Sequence, residues 1–320
     1  MYPRKPFIVA EMSCNHGGSL GKAYRIIEAA AKAGCDAIKL QTWRTMTMDK
    51  TLLPNGPWAG KLLVDLYEEC RTPWEWHESL FRKAKDCGIE CFSTPFDVES
   101  VDFLESLGVK RYKVASFEIT DHHLIKYIAD KGKPVILSTG ASRREEVLAA
   151  LNGPLRGARV TTLACSSKYP ATAKDIFLRV YSASWGFSDH TLGVGCAAAA
   201  CAKGADMIEK HLTLSRSDPT PDAGFSIEPD EMRQFVIACR DAAECVWPKT
   251  YMPDIESQQY RRSVYAVKDI KEGEELTFHN IRTLRPLAKD GIPANEYESL
   301  FGKKAVRDIP QGPLHVSDFK

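Results

Sequence analysis

Eight times along the chain a short apolar run alternates with an amphipathic stretch, and that rhythm leaves little choice of fold. The apolar runs fall at residues 7–11, 37–41, 90–93, 112–115, 134–138, 160–165, 184–188 and 206–211. Between them, helix-period patterns cover residues 20–33, 73–87, 98–107, 123–130, 143–151 and 196–203. Gly34, Gly88, Gly108, Gly132 and Gly204 each follow a helix pattern and precede a strand, where a helix terminus needs a left-handed residue. Strands joined by helices pair in parallel. Eight such units predict a closed (β/α)8 TIM barrel rather than an open doubly wound sheet. No G-x-G-x-x-G pattern follows the first run, which argues further against a dinucleotide-binding fold.

The rhythm stops near residue 245. Residues 246–260, with Pro248 and Pro253, read as a linker. Beyond it come short strand-like pieces, first Ser263-Val264-Tyr265-Ala266-Val267 and later Lys304-Ala305-Val306. Turns at Lys271-Glu272-Gly273-Glu274 and Pro310-Gln311-Gly312 and a helix candidate at residues 296–300 complete the pattern. The expected organisation is a barrel over residues 1–245, a linker over 246–260 and a small β-rich domain over 261–320.

Charge excludes some partners. The 43 Lys and Arg nearly balance the 42 Asp and Glu, so the formal net charge is only +1. Neither nucleic acid nor an anionic membrane is expected as a partner, and an anionic substrate has to be held by local positive charge. The ten cysteines are scattered singly with no C-x-x-C pair, so a zinc knuckle is not expected. MYPRKPFIVAE reaches polar residues too soon for a signal-peptide core, and the longest apolar run, 194–202, is too short to span a bilayer. A cytoplasmic protein with reduced, core-packed cysteines is the expectation.

In parallel barrels chemistry sits at the C-terminal strand ends. Here every strand end is polar: Glu11 with Asn15 and His16; Lys39 and Gln41; Ser93, Thr94 and Asp97; Lys113, Ser116 and Glu118; Ser138-Thr139-Gly140; Ser166, Ser167 and Tyr169; Ser188-Asp189-His190; Glu209-Lys210-His211. A buried lysine is costly unless an anion compensates it. Lys39 and Lys113 alternate with apolar neighbours and are expected to face the lumen. With the hydroxyls of Thr94, Ser116, Ser138 and Ser188 they make a site for a phosphate and a carboxylate. Two alternatives stand beside this: both lysines as internal struts paired with Glu11 or Glu118, or one of them as a Schiff-base lysine.

His190 and His211 end adjacent strands, so both imidazoles reach one rim and can share a divalent metal. Two imidazoles with no thiolate suit Mn2+, with Mg2+ or Co2+ as alternatives, rather than structural zinc. Asp189 and Glu209 are expected to orient the rings. His77 is read as surface or packing. For His16, a loop-fixing and a catalytic role are equally open.

At these residues the chain resembles the sialic acid synthase family. The likeness runs through Ala10-Glu11-Met12-Ser13-Cys14-Asn15-His16, Ile38-Lys39-Leu40-Gln41-Thr42, Ser93-Thr94-Pro95-Phe96-Asp97 and Tyr112-Lys113-Val114-Ala115-Ser116. It continues through Ser138-Thr139-Gly140, Ser188-Asp189-His190-Thr191 and Ile208-Glu209-Lys210-His211. The tail, with Arg262-Ser263, Lys268-Asp269-Ile270, Gly273 and Arg285-Pro286, is similar to that family's antifreeze-like (SAF) domain. Leu66-Tyr67-Glu68, Thr72-Pro73-Trp74-Glu75-Trp76-His77 and Ala115-Ser116-Phe117-Glu118 resemble the family's pseudaminic acid branch. A large Phe117 beside Glu118 would reshape a sugar pocket.

The resemblance implies a transferase in which C3 of phosphoenolpyruvate attacks the aldehyde of an open-chain N-acetylated sugar, water adds at C2, and phosphate leaves by C–O cleavage. It implies that Lys39, Lys113, Thr94, Ser116, Ser138 and Ser188 hold phosphoenolpyruvate and that Glu11 and Glu118 handle protons. Gln41, Tyr169 and Asp222 would contact the sugar, and a metal on His190 and His211 would polarise the aldehyde. It also implies a domain-swapped homodimer in which Arg285 reaches a partner's barrel mouth. Sugar identity is expected to be read near Phe117, Tyr169 and the 74–77 segment.

Overall fold

The computed structural model describes residues 5–44, 49–54, 58–246 and 254–320. Residues 1–4 of the N-terminal segment lie outside the described residues, as do residues 247–253, which include both prolines of the expected linker. The chain divides into two compact units, Met1–Trp247 and Pro248–Lys320.

The first unit is a closed barrel of eight parallel strands in sequential order. The strands are β1 (Phe7–Glu11), β2 (Ala37–Thr42), β3 (Glu90–Pro95), β4 (Tyr112–Val114), β5 (Val135–Ser138), β6 (Val160–Cys165), β7 (Ser184–Asp189) and β8 (Met207–His211). Closure comes from β1 pairing with β8, with Glu11 opposite His211. The connecting helices are α1 (Leu20–Ala33), α2 (Leu63–Cys70), α3 (Trp74–Asp86), α4 (Val98–Ser106), α5 (His122–Asp130), α6 (Arg144–Asn152), α7 (Gly195–Ala202) and α8 (Pro229–Val246).

Local chemistry explains these boundaries. Ser19 caps α1 by accepting the Lys22 amide, and Gly34 ends it at φ 92°. The four other glycines expected at helix ends also take positive φ. Ala23, Ile26, Ile27, Ala30 and Ala33 form the buried stripe of α1, at helical spacing. The alanine-rich α7 packs against α8, whose Met232, Phe235, Val236 and Cys239 are buried.

One crossover departs from the rhythm. Between β6 and β7 there is no α-helix, only a single 3-10 turn at Ala173–Asp175. Pro170 interrupts this stretch, and no apolar stripe of helical period runs through it. The segment instead brings Tyr169 to the barrel mouth.

Strand alternation builds the lumen in layers. Val9, Ala37, Phe92, Ile136, Leu163 and Met207 form an apolar cluster of their own, separate from the strand–helix cores. Two residues further along, where the period of a strand returns to the same face, stand Glu11, Lys39, Thr94, Ser138, Cys165 and Glu209. A dry apolar plug thus lies beneath a layer of charged and hydroxyl groups.

In the second unit, β9 (Ser263–Ala266) pairs antiparallel with β10 (Ile281–Leu284) and β11 (Gly312–Pro313). Val264, Ile270, Leu276, Ile281, Ile309 and Leu314 are among its core residues. The helix candidate at residues 296–300 is a 3-10 helix, Ala294–Leu300, and the expected linker contains a helical turn, α9 (Ile255–Gln258), capped by Asp254.

The β7–β8 contact leaves no space at Gly186: a Cβ there would sit 2.2 Å from the Met207 carbonyl oxygen. Gly186→Ala should therefore lower barrel stability by about 1–3 kcal/mol through overpacking, read from urea unfolding followed by far-UV circular dichroism.

Candidate active site

A cavity of about 470 Å³ opens at the C-terminal strand ends. The barrel residues expected to hold phosphoenolpyruvate, the sugar, the metal and the protons all line it: Glu11, Lys39, Gln41, Thr94, Lys113, Ser116, Glu118, Ser138, Tyr169, Ser188, His190, His211 and Asp222. Arg285 belongs to the second unit, just beyond β10.

The floor is a buried charge cluster. Glu209 lies between two ammonium groups, 3.3 Å from Lys113 Nζ and 3.8 Å from Lys39 Nζ. Lys39 also pairs with Glu11 and donates to Thr94 Oγ1 at 3.3 Å. Glu11 Oε1 accepts from Gln41 Nε2 at 3.0 Å and from the Ser13 amide at 3.1 Å. Ser188 donates to Glu209 at 3.0 Å.

Burial opposes ionisation of Glu209, but Lys113 and Lys39 overcome it and hold the carboxyl at about 2. For Glu11, burial outweighs Lys39 and pushes the carboxyl up to about 7. Burial also lowers the Lys113 ammonium despite Glu209; at Lys39 the opposing pull of Glu11 and Glu209 wins and raises it. The strut alternative is thus realised only in part. Lys39 pairs with Glu11, but no ion pair links Glu118 to either lysine among the described residues.

Two expectations about carboxylates need correction. Glu209 serves the lysines rather than orienting an imidazole. Asp189 does not orient a ring either: it alternates with Ser188 and faces outward, where it accepts from Lys210 Nζ at 2.9 Å and from Thr191. His190 is oriented instead by a backbone group. Its Nδ1 donates to the Ser166 carbonyl at 2.6 Å, which leaves Nε2 unprotonated.

The two imidazoles lie with ring centroids 5.4 Å apart. Burial keeps both neutral, lowering His190 to about 4 and His211 well below the usual range. His211 Nδ1 is buried without a hydrogen-bond partner and stands 3.8 Å from Asp222 Oδ2. Neutral imidazoles, one held through its far nitrogen by a carbonyl, are the form in which histidine ligates a metal. Among the described residues no group of three or more His, Cys, Asp and Glu is arranged around a metal position. Two neutral imidazoles on one rim are nonetheless a donor pair that fits a divalent ion.

Above the floor, aromatic groups form the walls. Tyr169 packs on His190 at 4.2 Å and on Phe225 at 5.0 Å between ring centroids. Ser13 donates to Asp222 at 2.5 Å and accepts from Gln41 at 3.2 Å. Glu118 Oε2 is buried with no hydrogen-bond partner, and burial pushes its carboxyl up to about 7. Phe117 lines the cavity yet is 57% exposed, at the rim.

Other expectations resolve by position. The 74–77 segment is not part of the cavity: Trp74 stacks on Phe103, and the buried His77 contacts Thr42 Oγ1 at 2.8 Å. His16 fixes its loop, accepting the Gly18 amide at 3.1 Å. Cys165, read as a core residue, lines the cavity, as do Ser13, Trp58 and Phe225, which strand periodicity does not reach. All ten cysteines are free. No helix among the described residues is long and apolar enough to cross a membrane.

Comparison with known proteins gives the family. Residues 26–248 match the NeuB family and residues 261–314 match the SAF domain. The pseudaminic acid synthase of Campylobacter jejuni is 38% identical over 99% of this chain and 97% of its own length. That organism's N,N'-diacetyllegionaminic acid synthase is 34% identical, covering 97% of this chain and 99% of the relative. Among solved structures, N-acetylneuraminic acid synthetase from Leptospira borgpetersenii, in complex with citrate, is 30% identical. It superposes with a TM-score of 0.70 over 79% of this chain and 89% of that one. The chain belongs to the NeuB family.

Burial of Glu118 makes stability depend on pH. Its carboxyl titrates near 4.5 when unfolded and near 7 when folded, so between these values the folded chain binds the extra proton. Its contribution is fully present below the unfolded value and is lost as pH rises through the folded one. Between about pH 5 and pH 8 the wild type should lose up to ~3 kcal/mol of stability relative to Glu118→Gln. Urea unfolding of both proteins at the two pH values measures this; parallel pH dependences would contradict it.

Proposed function

We propose that this member of the NeuB family is a nonulosonic acid synthase. It condenses phosphoenolpyruvate with the open-chain aldehyde of an N-acetylated amino sugar, giving a nine-carbon 2-keto acid and inorganic phosphate. The sugar is 2,4-diacetamido-2,4,6-trideoxyaltrose, which makes the enzyme a pseudaminic acid synthase; legionaminic and N-acetylneuraminic acid synthesis are the neighbouring alternatives. The supporting observation is the juxtaposition, in one cavity, of a two-lysine floor with two neutral imidazoles.

The atoms balance as follows. C3 of phosphoenolpyruvate forms a bond to the aldehyde carbon, water adds at C2, and the bond from C2 to the bridging oxygen breaks, so phosphate leaves with that oxygen. Lys39 and Lys113 offset the anionic charge while Thr94, Ser116 and Ser138 donate to its oxygens; Ser188, whose one O–H is on Glu209 in this structure, has to turn from that carboxylate to join them. Each ammonium has three donors, so contact with Glu209 leaves others for the substrate. Glu11 and Glu118, both raised to about 7, can each hold or release a proton near neutrality. Glu118, with Oε2 unpartnered, is suited to the proton of the attacking water or of a sugar hydroxyl. Gln41, Tyr169 and Asp222 orient the sugar.

A divalent ion, Mn2+ ahead of Mg2+ or Co2+, would be held by His190 and His211 and when bound supplies Lewis-acid polarisation of the aldehyde oxygen. From the family resemblance, Arg285 reaches a partner's barrel mouth in a domain-swapped homodimer, and the enzyme works in the cytoplasm. One observation favours a Schiff-base aldolase instead, the lowered Lys113 ammonium. Borohydride treatment with substrate present distinguishes the two: trapped lysine supports the aldolase.

A coupled phosphate-release assay tests the reading. Turnover should be fastest with the altrose derivative, slower with its mannose isomer and slower again with N-acetylmannosamine. His211→Ala should lower turnover by at least ~100-fold, and chelation of the wild type should do the same. Full activity in His211→Ala would sink the metal assignment.

A further inference from the structure

Two residues beyond Glu11, just past the end of β1, stands Ser13, to which the reaction as drawn gives no role. It is 3% exposed and lines the cavity. Its φ is 46°, and among the described residues Asp290 is the only other non-glycine with a positive φ. A Cβ crowds the backbone in that region, so serine stays there only where its surroundings over-determine it. Three hydrogen bonds hold it. Its amide donates to Glu11 Oε1 at 3.1 Å, its hydroxyl donates to Asp222 Oδ2 at 2.5 Å, and it accepts from Gln41 Nε2 at 3.2 Å.

The direction of this chain follows from Glu11. Lys39 lies against Glu11 Oε2 and the Ser13 amide against Oε1, and the ionised carboxylate only accepts. Gln41, at 3.0 Å from Oε1, therefore turns its NH2 group toward Glu11. The second hydrogen of that group goes to Ser13 Oγ, and the serine's own hydrogen goes to Asp222. Both hydrogens of the Gln41 amide are thus spent on Glu11 and Ser13. Its carbonyl oxygen has no hydrogen-bond partner among the described residues.

We infer that Ser13 is a positioning residue for the sugar, an inference that rests on the condensation proposed above. Its hydroxyl joins Gln41 to Asp222, two of the three barrel side chains assigned to the sugar. It also fixes the Gln41 amide so that the carbonyl oxygen is left as an acceptor. That oxygen suits a hydrogen donor on the sugar, an acetamido N–H or a hydroxyl. Without the Ser13 hydroxyl, Gln41 loses one of its two anchors and Asp222 loses a donor. Sugar binding then has to order side chains that the wild type holds in place beforehand. Ser13 makes no hydrogen bond to Lys39, Lys113 or the hydroxyls expected to hold phosphoenolpyruvate among the described residues.

Ser13→Gly isolates the hydroxyl, because glycine adopts a left-handed φ freely and keeps the amide that donates to Glu11. Ser13→Ala removes the same hydroxyl and keeps the Cβ. Phosphate release is followed with the sugar that wild type turns over fastest, varying each substrate in turn while the other saturates. In both variants the sugar KM should rise ~10–100-fold, the loss of a hydrogen bond to a charged group, while the phosphoenolpyruvate KM stays at the wild-type value. Imperfect folding would lower the amount of active enzyme, and so kcat, without separating the two KM values. Adding Ser13→Gly to Gln41→Ala should raise the sugar KM less than it does in wild type, because the anchored amide is already gone. An unchanged sugar KM in both variants, an equal rise for both substrates, or an equal rise with and without Gln41 overturns the inference and leaves the reaction standing. No phosphate release by wild type with the altrose derivative, its mannose isomer or N-acetylmannosamine overturns the condensation, and the inference with it.

Discussion

The barrel mouth depends on Glu209 lying between two buried ammonium groups. Each ion alone would be strongly penalised in a lumen sealed from below by Phe92, Ile136, Leu163 and Met207. Together they form a compensated set, and removing one member of such a set typically costs about 3–5 kcal/mol. Compensation is also uneven. Glu209 lies against both lysines and stays ionised, whereas Glu11 pairs with Lys39 only, burial prevails there and raises it to about 7. One carboxylate is thereby fixed as a permanent anion and the other left able to exchange a proton near neutrality. Two residues of one chemical type acquire different roles from the number of ammonium groups each lies against.

Strand alternation separates this cluster from a second one built by the same two strands. Ser188 and Glu209 point into the lumen, while their neighbours Asp189 and Lys210 point outward and pair at 2.9 Å. Lys210 lies beneath the Phe235 ring of α8 and also donates to the Gly193 carbonyl at 3.3 Å. The outer pair ties the β7 loop to β8, and so fixes the backbone from which His190 projects. Inner and outer charges occupy consecutive positions, so a slip of one residue in register would exchange them. A loop-anchoring pair would then face the substrate, and the lysine-bound carboxylate would be driven into the helix layer.

This explains what could and could not be read in the sequence. Lumen placement of Lys39 and Lys113 follows from period two, and the histidine pair follows from the adjacency of β7 and β8. The partner of each charge does not follow, because several carboxylates share the rim and partnership is set by barrel diameter and strand stagger. On sequence alone Glu209 and Asp189 therefore read as partners of the imidazoles. His190 is in fact oriented by the Ser166 carbonyl, a backbone group that no side-chain pattern advertises. The polar half of the site was legible because polar residues ending apolar strands are conspicuous. The apolar lining was not, because Leu53 and Leu63, which also line the cavity, sit in a connection where a leucine reads as ordinary packing.

The two halves of the cavity constrain each other. A trianionic co-substrate on the floor needs low dielectric around it if two lysines are to hold it strongly. That requirement favours covering the mouth with apolar groups, and Trp58, Tyr169 and Phe225 provide them. The same cover limits what the second substrate can carry. A sugar rich in hydroxyls would have to bring water into the site or leave its oxygens unpaired. The lysine cluster on the floor and the aromatic cover at the mouth thus answer to one physical demand, a site dry enough for two ammonium groups to hold a multiply charged anion.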